Sequence, residues 1–160
     1  MYQSFIKYRS ALLVFLTHKM ALPVLKIIRK PAQFPYSMQQ LMQMEEGSLG
    51  RALGCFIKQK NLALLPHYAR HDLKHIILEY DTTDEGEVCL QSFMLGNGHV
   101  SFPVIATVLF GVFTMPEHWK ASWLAFNKGR QSASIAGWNW FAIVPQQVSI
   151  LRQKIYQPLN

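Results

Sequence analysis

Apolar positions recur every three or four residues along most of this chain, the spacing that lays one stripe along a helix. A first helix is predicted over residues 3–29, bent at Pro23, whose ring removes a backbone donor. Pro31 and Pro35 mark a connector, and a short helix follows over 38–44. Gly47 and Ser48 open a helix to Lys60 with Leu49, Leu53, Phe56 and Ile57 as its apolar stripe. Pro66 suits the first position of the next helix, which runs to Tyr80 with Leu73, Ile76 and Ile77 inward. Asp81–Asp84 is a polar turn, and Asp84 is the predicted N-cap of a helix over 85–95 that ends at Gly96, Asn97 and Gly98. Residues 102–113, FPVIATVLFGVF, are apolar without a break, which predicts a buried helix or a cavity wall. Thr114 and Glu117 with Pro116 between them resemble a capping box opening a helix to Lys128. The aromatic segment AGWNWFAIV has no clear period, and a last helix starts at Pro145 with Val148, Leu151 and Ile155 inward.

Nothing alternates as a strand would. The expectation is therefore an all-α protein, one helical domain over 1–160 of about six to eight helices. Residues 1–30 form a basic amphipathic helix in this reading and 31–160 the helical core. Half of the residues are hydrophobic and 16% are charged, enough apolar surface to fold without disulfides. Cys55 and Cys89 are too few for a disulfide framework, which favours a reducing compartment.

The balance of 16 Lys and Arg against 9 Asp and Glu gives +7, a charge that favours anionic partners. Lys7, Arg9, Lys19, Lys26, Arg29 and Lys30 are interleaved with apolar residues such as Phe5, Leu12 and Leu25. This is a membrane-surface pattern more than a nucleic-acid one, and an ordinary first helix packed on the core fits it equally. No nucleic-acid motif is present. The run Ala11–Leu16 is too short for a span, and no signal-peptide cleavage pattern follows it. The expected location is cytoplasmic, peripheral on the inner face of a membrane.

The chemistry concentrates between His71 and Glu87, HDLKHIILEYDTTDEGE. Residues four apart on a helix share a face, so His71 and His75 can aim at one point, with Asp72 leaning toward it. Glu87, returning on the next helix, would complete a set of imidazole and carboxylate ligands suited to zinc, iron or cobalt. The residues also allow plainer roles. One histidine can pack in the core, Asp72 can pair with Arg70 or Lys74, and Glu87 can cap its own helix from three residues beyond Asp84. His67 extends the histidine series by one turn, and Glu79 continues the same face as an acceptor able to fix a histidine tautomer, or as a solvated helix end.

The pattern HD-x-x-H, eleven residues and Glu, present as His71, Asp72, His75 and Glu87, resembles the signature of the coenzyme Q biosynthesis protein 4 family. EGSLGR at 46–51, Tyr80, Thr82, Gly86, Val88 and Gln91, and GRQS at 129–132 are similar to its flanking segments, so the resemblance covers about residues 30–157. The family commonly carries glycine where this chain has Glu79, a glutamate near Met94, and a different loop in place of LGNG at 95–98. The resemblance implies an all-α fold that holds a divalent metal, usually zinc, and a polyprenyl lipid or quinone precursor. It implies ubiquinone biosynthesis at a membrane, with other quinone-biosynthesis proteins and a homo-oligomer as partners. The implied reaction is a lyase step, removal of the C1 carboxyl of a prenylated benzoate ring with hydroxylation there. His71, Asp72, His75 and Glu87 would be the metal ligands and catalytic residues, with His67 and Glu79 behind them. Phe93, Met94, Val104, Leu109 and Phe110 would line a groove for the isoprenoid tail, or serve as plain core. The alternative to an enzyme is a lipid-binding scaffold whose metal is structural.

Overall fold

The computed structural model describes residues 8, 9, 11 and 33–157. Among them all regular structure is helical, apart from an isolated bridge between Ser48 and Gln147. The helices are α1 (Met38–Gln43), α2 (Leu49–Gln59), α3 (Ala69–Leu78), α4 (Asp84–Gly96), α5 (Phe102–Thr114), α6 (Trp119–Gln131) and α7 (Val148–Tyr156), with a 3-10 turn at Pro116–His118 before α6. Tyr8, Arg9 and Ala11 are helical; the rest of the predicted first helix, with its bend at Pro23, lies outside the described residues. The chain groups into two units. Residues 33–80 join 131–157, and residues 81–130 join the described N-terminal residues.

In the first unit, Ser37 opens α1 with a capping box to Gln40. Ser48 caps α2 through the Arg51 amide. The next α2 amides have no helical partner of their own; Leu49 N donates to Gln146 O at 2.8 Å and Gly50 N to Val144 O at 2.7 Å. Leu49, Leu53 and Ile57 are fully or nearly fully buried as predicted, while Phe56 is half-buried. On α3, Ala69, Leu73 and Ile77 form the buried stripe, and α3 packs on α2 and α7. Arg152 from α7 donates to the carbonyls of Ile76 at 2.8 Å and Ile77 at 3.1 Å. These are orphan acceptors at the C-terminal end of α3, where a cation also favours the helix dipole.

Two helix starts fall three residues later than the prolines suggest. Pro66 sits second in a turn closed by Tyr68 N donating to Leu65 O at 2.9 Å, so α3 begins at Ala69. Pro145 sits inside the turn Ile143–Gln146, and α7 begins at Val148 with Gln147 as N-cap. The aromatic segment before α7 is non-helical; Trp140 and Val144 are buried from it, with Ile135 buried just ahead of it, and Phe141 meets Phe34 edge-on at 5.3 Å. Leu151 and Ile155 are buried as expected.

In the second unit, Thr83 rather than Asp84 caps α4, accepting from Gly86 N. α4 buries Val88, Cys89, Leu90, Ser92, Phe93 and Met94. α5 packs on it along a narrow seam of Val104, Thr107 and Gly111. The expectation of a buried 102–113 helix is therefore corrected: Phe102, Ile105, Leu109, Val112 and Phe113 are exposed. A helix that is apolar all round still packs along the one seam its neighbours offer, and composition does not supply a second partner. Thr114 is the last residue of α5, not a cap. Its hydroxyl donates back to Phe110 O at 2.7 Å, and Met115 occupies the capping position with no side-chain bond. Glu117, freed from the predicted box, pairs with Arg9 at 2.6 Å.

Along α6 the buried seam is made of small residues, Ala125 and Gly129, with Ser122 bonded to Ser92 of α4 at 2.7 Å. The two helices cross at backbone contact. A Cβ on Gly96 would overlap the Phe126 carbonyl oxygen, and one on Gly129 the Phe93 carbonyl oxygen. Asn97 closes the crossing by donating to Gly129 O at 3.1 Å.

Candidate metal centre

α3 carries both histidines, and its face rather than its length decides their roles. His75 is 2% exposed, on the core side beside Leu78, whereas His71 is half-buried one turn earlier. Their Nε2 atoms lie 3.0 Å apart, with the rings nearly perpendicular. The other nitrogen of His75, Nδ1, lies 2.9 Å from the Tyr80 carbonyl oxygen. A carbonyl only accepts, so Nδ1 carries the hydrogen and Nε2 of neutral His75 presents its lone pair toward His71.

That carbonyl is brought back by the end of α3. Glu79 adopts φ +62°, ψ +33°, the left-handed conformation that stops a helix and reverses the chain. Glu79 was a candidate for fixing the tautomer. Its side chain is exposed and pairs with Arg152 at 3.0 Å, and the backbone of the next residue orients the ring instead. A β-carbon makes this conformation costly, while glycine adopts it freely. Glu79→Gly is expected to raise stability by about 1 kcal/mol, less an Arg152 contribution of about 0–1 kcal/mol typical of exposed pairs. Urea denaturation tests this; a lower midpoint for the variant would show that the ion pair outweighs the strain.

Beyond Tyr80 the turn is held by Asp81, whose Oδ1 accepts from both the amide and the hydroxyl of Thr83. Gly86 lies so close to the Asp81 backbone that a Cβ there would overlap its carbonyl oxygen. Position N3 of α4 is thus Gly86, which has no side chain, and Glu87 falls at the next position. The capping-box reading of Glu87 is corrected, because Thr83 is the cap and Glu87 is one residue past the reach-back position. Glu87 is half-buried, and one ligand atom from each of His71, His75 and Glu87 lies within 4.8 Å of the others.

The donor set suits a divalent cation. The His75 Nε2 lone pair faces His71 Nε2 at 3.0 Å, where an N–H donated by His71 or a cation shared by both rings satisfies it. Tetrahedral zinc with Zn–N of about 2.0–2.1 Å places two nitrogens about 3.3 Å apart, so a few tenths of an ångström of ring movement admits the ion. Asp72 stands in the first turn of α3 and is not among the three converging residues. Burial, with the Asp72 charge second, pushes the Tyr68 hydroxyl above its ordinary value. His67 is exposed in the turn before α3, off the helical face that the series of three histidines assumed.

Other groups set the electrostatics of each unit. Lys74, next to His75 in sequence, has its Nζ 5.7 Å from the Trp140 ring centre; burial, with Arg70 second, lowers its ammonium to about 8. Burial, with Glu85 and Asp81 adding to it, pushes the Cys89 thiol up to about 11, so it stays protonated at neutral pH. Of the residues read as lining a lipid groove, Phe93 and Met94 are core and Val104 is buried, while Phe110 is half-buried and Leu109 exposed. The residue whose part was not foreseen is Tyr80, which acts through its backbone and so carries no signal in its side-chain type.

No family model and no curated protein matches the chain. A crystal structure of a protein from Nostoc punctiforme, provisionally assigned to ubiquinone biosynthesis, superposes with a TM-score of 0.62 at 21% identity, covering 92% of this chain and 80% of that one. The chain therefore shares the helical fold of that Nostoc protein, with a His–His–Glu group of metal-ligand type in it.

Proposed function

We propose that this chain belongs to the coenzyme Q biosynthesis protein 4 family and promotes loss of the C1 carboxyl of a polyprenylated hydroxybenzoate at a divalent metal held by His71, His75 and Glu87. One observation carries the reading: two imidazole nitrogens and a carboxylate converge within 4.8 Å, and the more buried ring has its tautomer set by a backbone carbonyl. The fold likeness to the Nostoc protein supports it.

A divalent cation bound there would supply Lewis acidity to a substrate carboxylate and to the charge that develops as carbon dioxide leaves. The chain's own residues prepare for this. Tyr80 O holds His75 Nδ1–H, which keeps the Nε2 lone pair available and makes that nitrogen a better donor. Glu87 adds the negative charge that a neutral histidine pair lacks. His71 and Glu87 are both half-buried, so the group is not sealed from water, the source of the proton that must replace the carboxyl at C1. Zinc, which is redox-inactive, suits carboxyl loss. Two histidines and one carboxylate are also the set with which iron handles dioxygen, the oxidant that hydroxylation at C1 needs.

The test is release of labelled carbon dioxide from a carboxyl-labelled prenylated hydroxybenzoate by protein loaded with zinc or with iron and oxygen. Release is expected with the wild-type chain and none with His71→Ala. Retention of the lipid with no release under either metal would instead leave a non-catalytic carrier or scaffold.

A further inference from the structure

α5 presents an apolar stripe that none of the described residues of its unit covers. Phe102, Ile105, Leu109, Val112 and Phe113 follow helical spacing on one side, and Phe102 and Phe113 are each 80% exposed. The stripe continues into α6, because the Trp119 indole donates to Val112 O at 2.8 Å and Trp123 and Leu124 are exposed one turn later. Large apolar residues at this density on a surface mark a contact face.

Charge says what the face meets. Between Asn97 and Arg130 the only acidic residue is Glu117, and Arg9 holds it at 2.6 Å. Glu85, the nearest acid on α4, pairs with His118 at 3.3 Å. Lys120, Lys128 and Arg130 are exposed on α6. The face is thus apolar and aromatic with a basic rim whose neighbouring acids are engaged. A second copy would bring like charge against like. Among the described residues no helix is long and apolar enough to cross a membrane. Indole rings favour the level of lipid headgroups, and lysine and arginine favour anionic ones.

We propose that the α5–α6 face docks on an anionic lipid bilayer, with the α5 aromatics entering the interface and the α6 cations meeting headgroups. This assigns membrane contact to residues 102–130, in addition to any made by the basic N-terminal stretch. It does not depend on the metal group: His71→Ala is expected to float with vesicles as the wild type does, so failure here and failure of the catalytic reading are separable.

Flotation of the purified full chain with vesicles tests it, using phosphatidylcholine alone or an equimolar mixture with phosphatidylglycerol. The wild type is expected to float with the mixed vesicles and less so as salt rises. Phe113→Ser with Trp123→Ser is expected to weaken this at least about tenfold, and Lys120→Glu with Lys128→Glu to abolish the preference for phosphatidylglycerol. Circular dichroism and melting of each variant check that the helices persist. Undiminished flotation of the folded Phe113/Trp123 variant would overturn the proposal. So would a wild type that stays with neither vesicle, or a concentration-dependent dimer lost in that variant, which would make the face an interface between copies.

Discussion

His71→Ala is expected to remove stoichiometric zinc from the purified protein while leaving its helix content unchanged. The half-buried imidazole contributes one of three converging donors, and two donors hold a divalent ion far more weakly than three. Glu87→Gln keeps the shape but removes the charge, and a drop in affinity of about 10–100-fold or more is expected. His75→Ala should differ from both. Its ring is 2% exposed and bonded to Tyr80 O, so removal also leaves a cavity and takes away that bond, a loss of about 1–3 kcal/mol. Metal analysis after dialysis, with urea melts of the same samples, separates the effects. Zinc retained at one equivalent by His71→Ala would refute the assignment of the ligands.

The second large effect lies away from the candidate metal centre. Gly96→Ala and Gly129→Ala should each destabilise by about 1–3 kcal/mol or more, although alanine is the better helix former by about 1 kcal/mol at an unconstrained site. The added methyl meets a main-chain carbonyl oxygen of the facing helix, Phe126 or Phe93, and a carbonyl cannot rotate away as a side chain can. The helices must part, which also strains the bonds from Asn97 to Gly129 O and from Ser92 to Ser122. Melting temperature should fall by about 2–4 °C per kcal/mol for a chain of this size. A rise at either site would show that helix propensity outweighs the crossing.

These glycines show where reading along the chain runs out. Gly96 was legible as the end of a helix and does end α4, whereas Gly129, just past the predicted end at Lys128, lies inside α6. Their role in bringing two backbones together depends on residues some thirty positions apart, and no local period encodes that. The helices themselves were legible, because stripes such as Leu49, Leu53 and Ile57 have a spacing that only a helix buries on one side. The two late starts arose because proline serves a turn as readily as a first helical position. The burial of 102–113 was misread because a wholly apolar helix carries no stripe to show which side is covered.

At the candidate metal centre the histidine pair and Glu87 were legible from spacing and residue type. The agents that aim them were not. The bend at Glu79 is a left-handed residue without glycine, and the acceptor for His75 is a peptide oxygen, common to every residue. Thr83 displaced Asp84 as cap because its hydroxyl reaches the Gly86 amide while Asp81 steadies it, an arrangement that three acceptor-bearing neighbours make hard to assign by composition.

Arg152 links the terminus of the histidine helix to a segment about seventy-five positions downstream. During synthesis α3 leaves the ribosome long before its last carbonyls can find that guanidinium. The brace on the histidine-bearing element therefore forms late, and nascent chains halted before α7 would expose α3 with an unfinished end to chaperones and proteases.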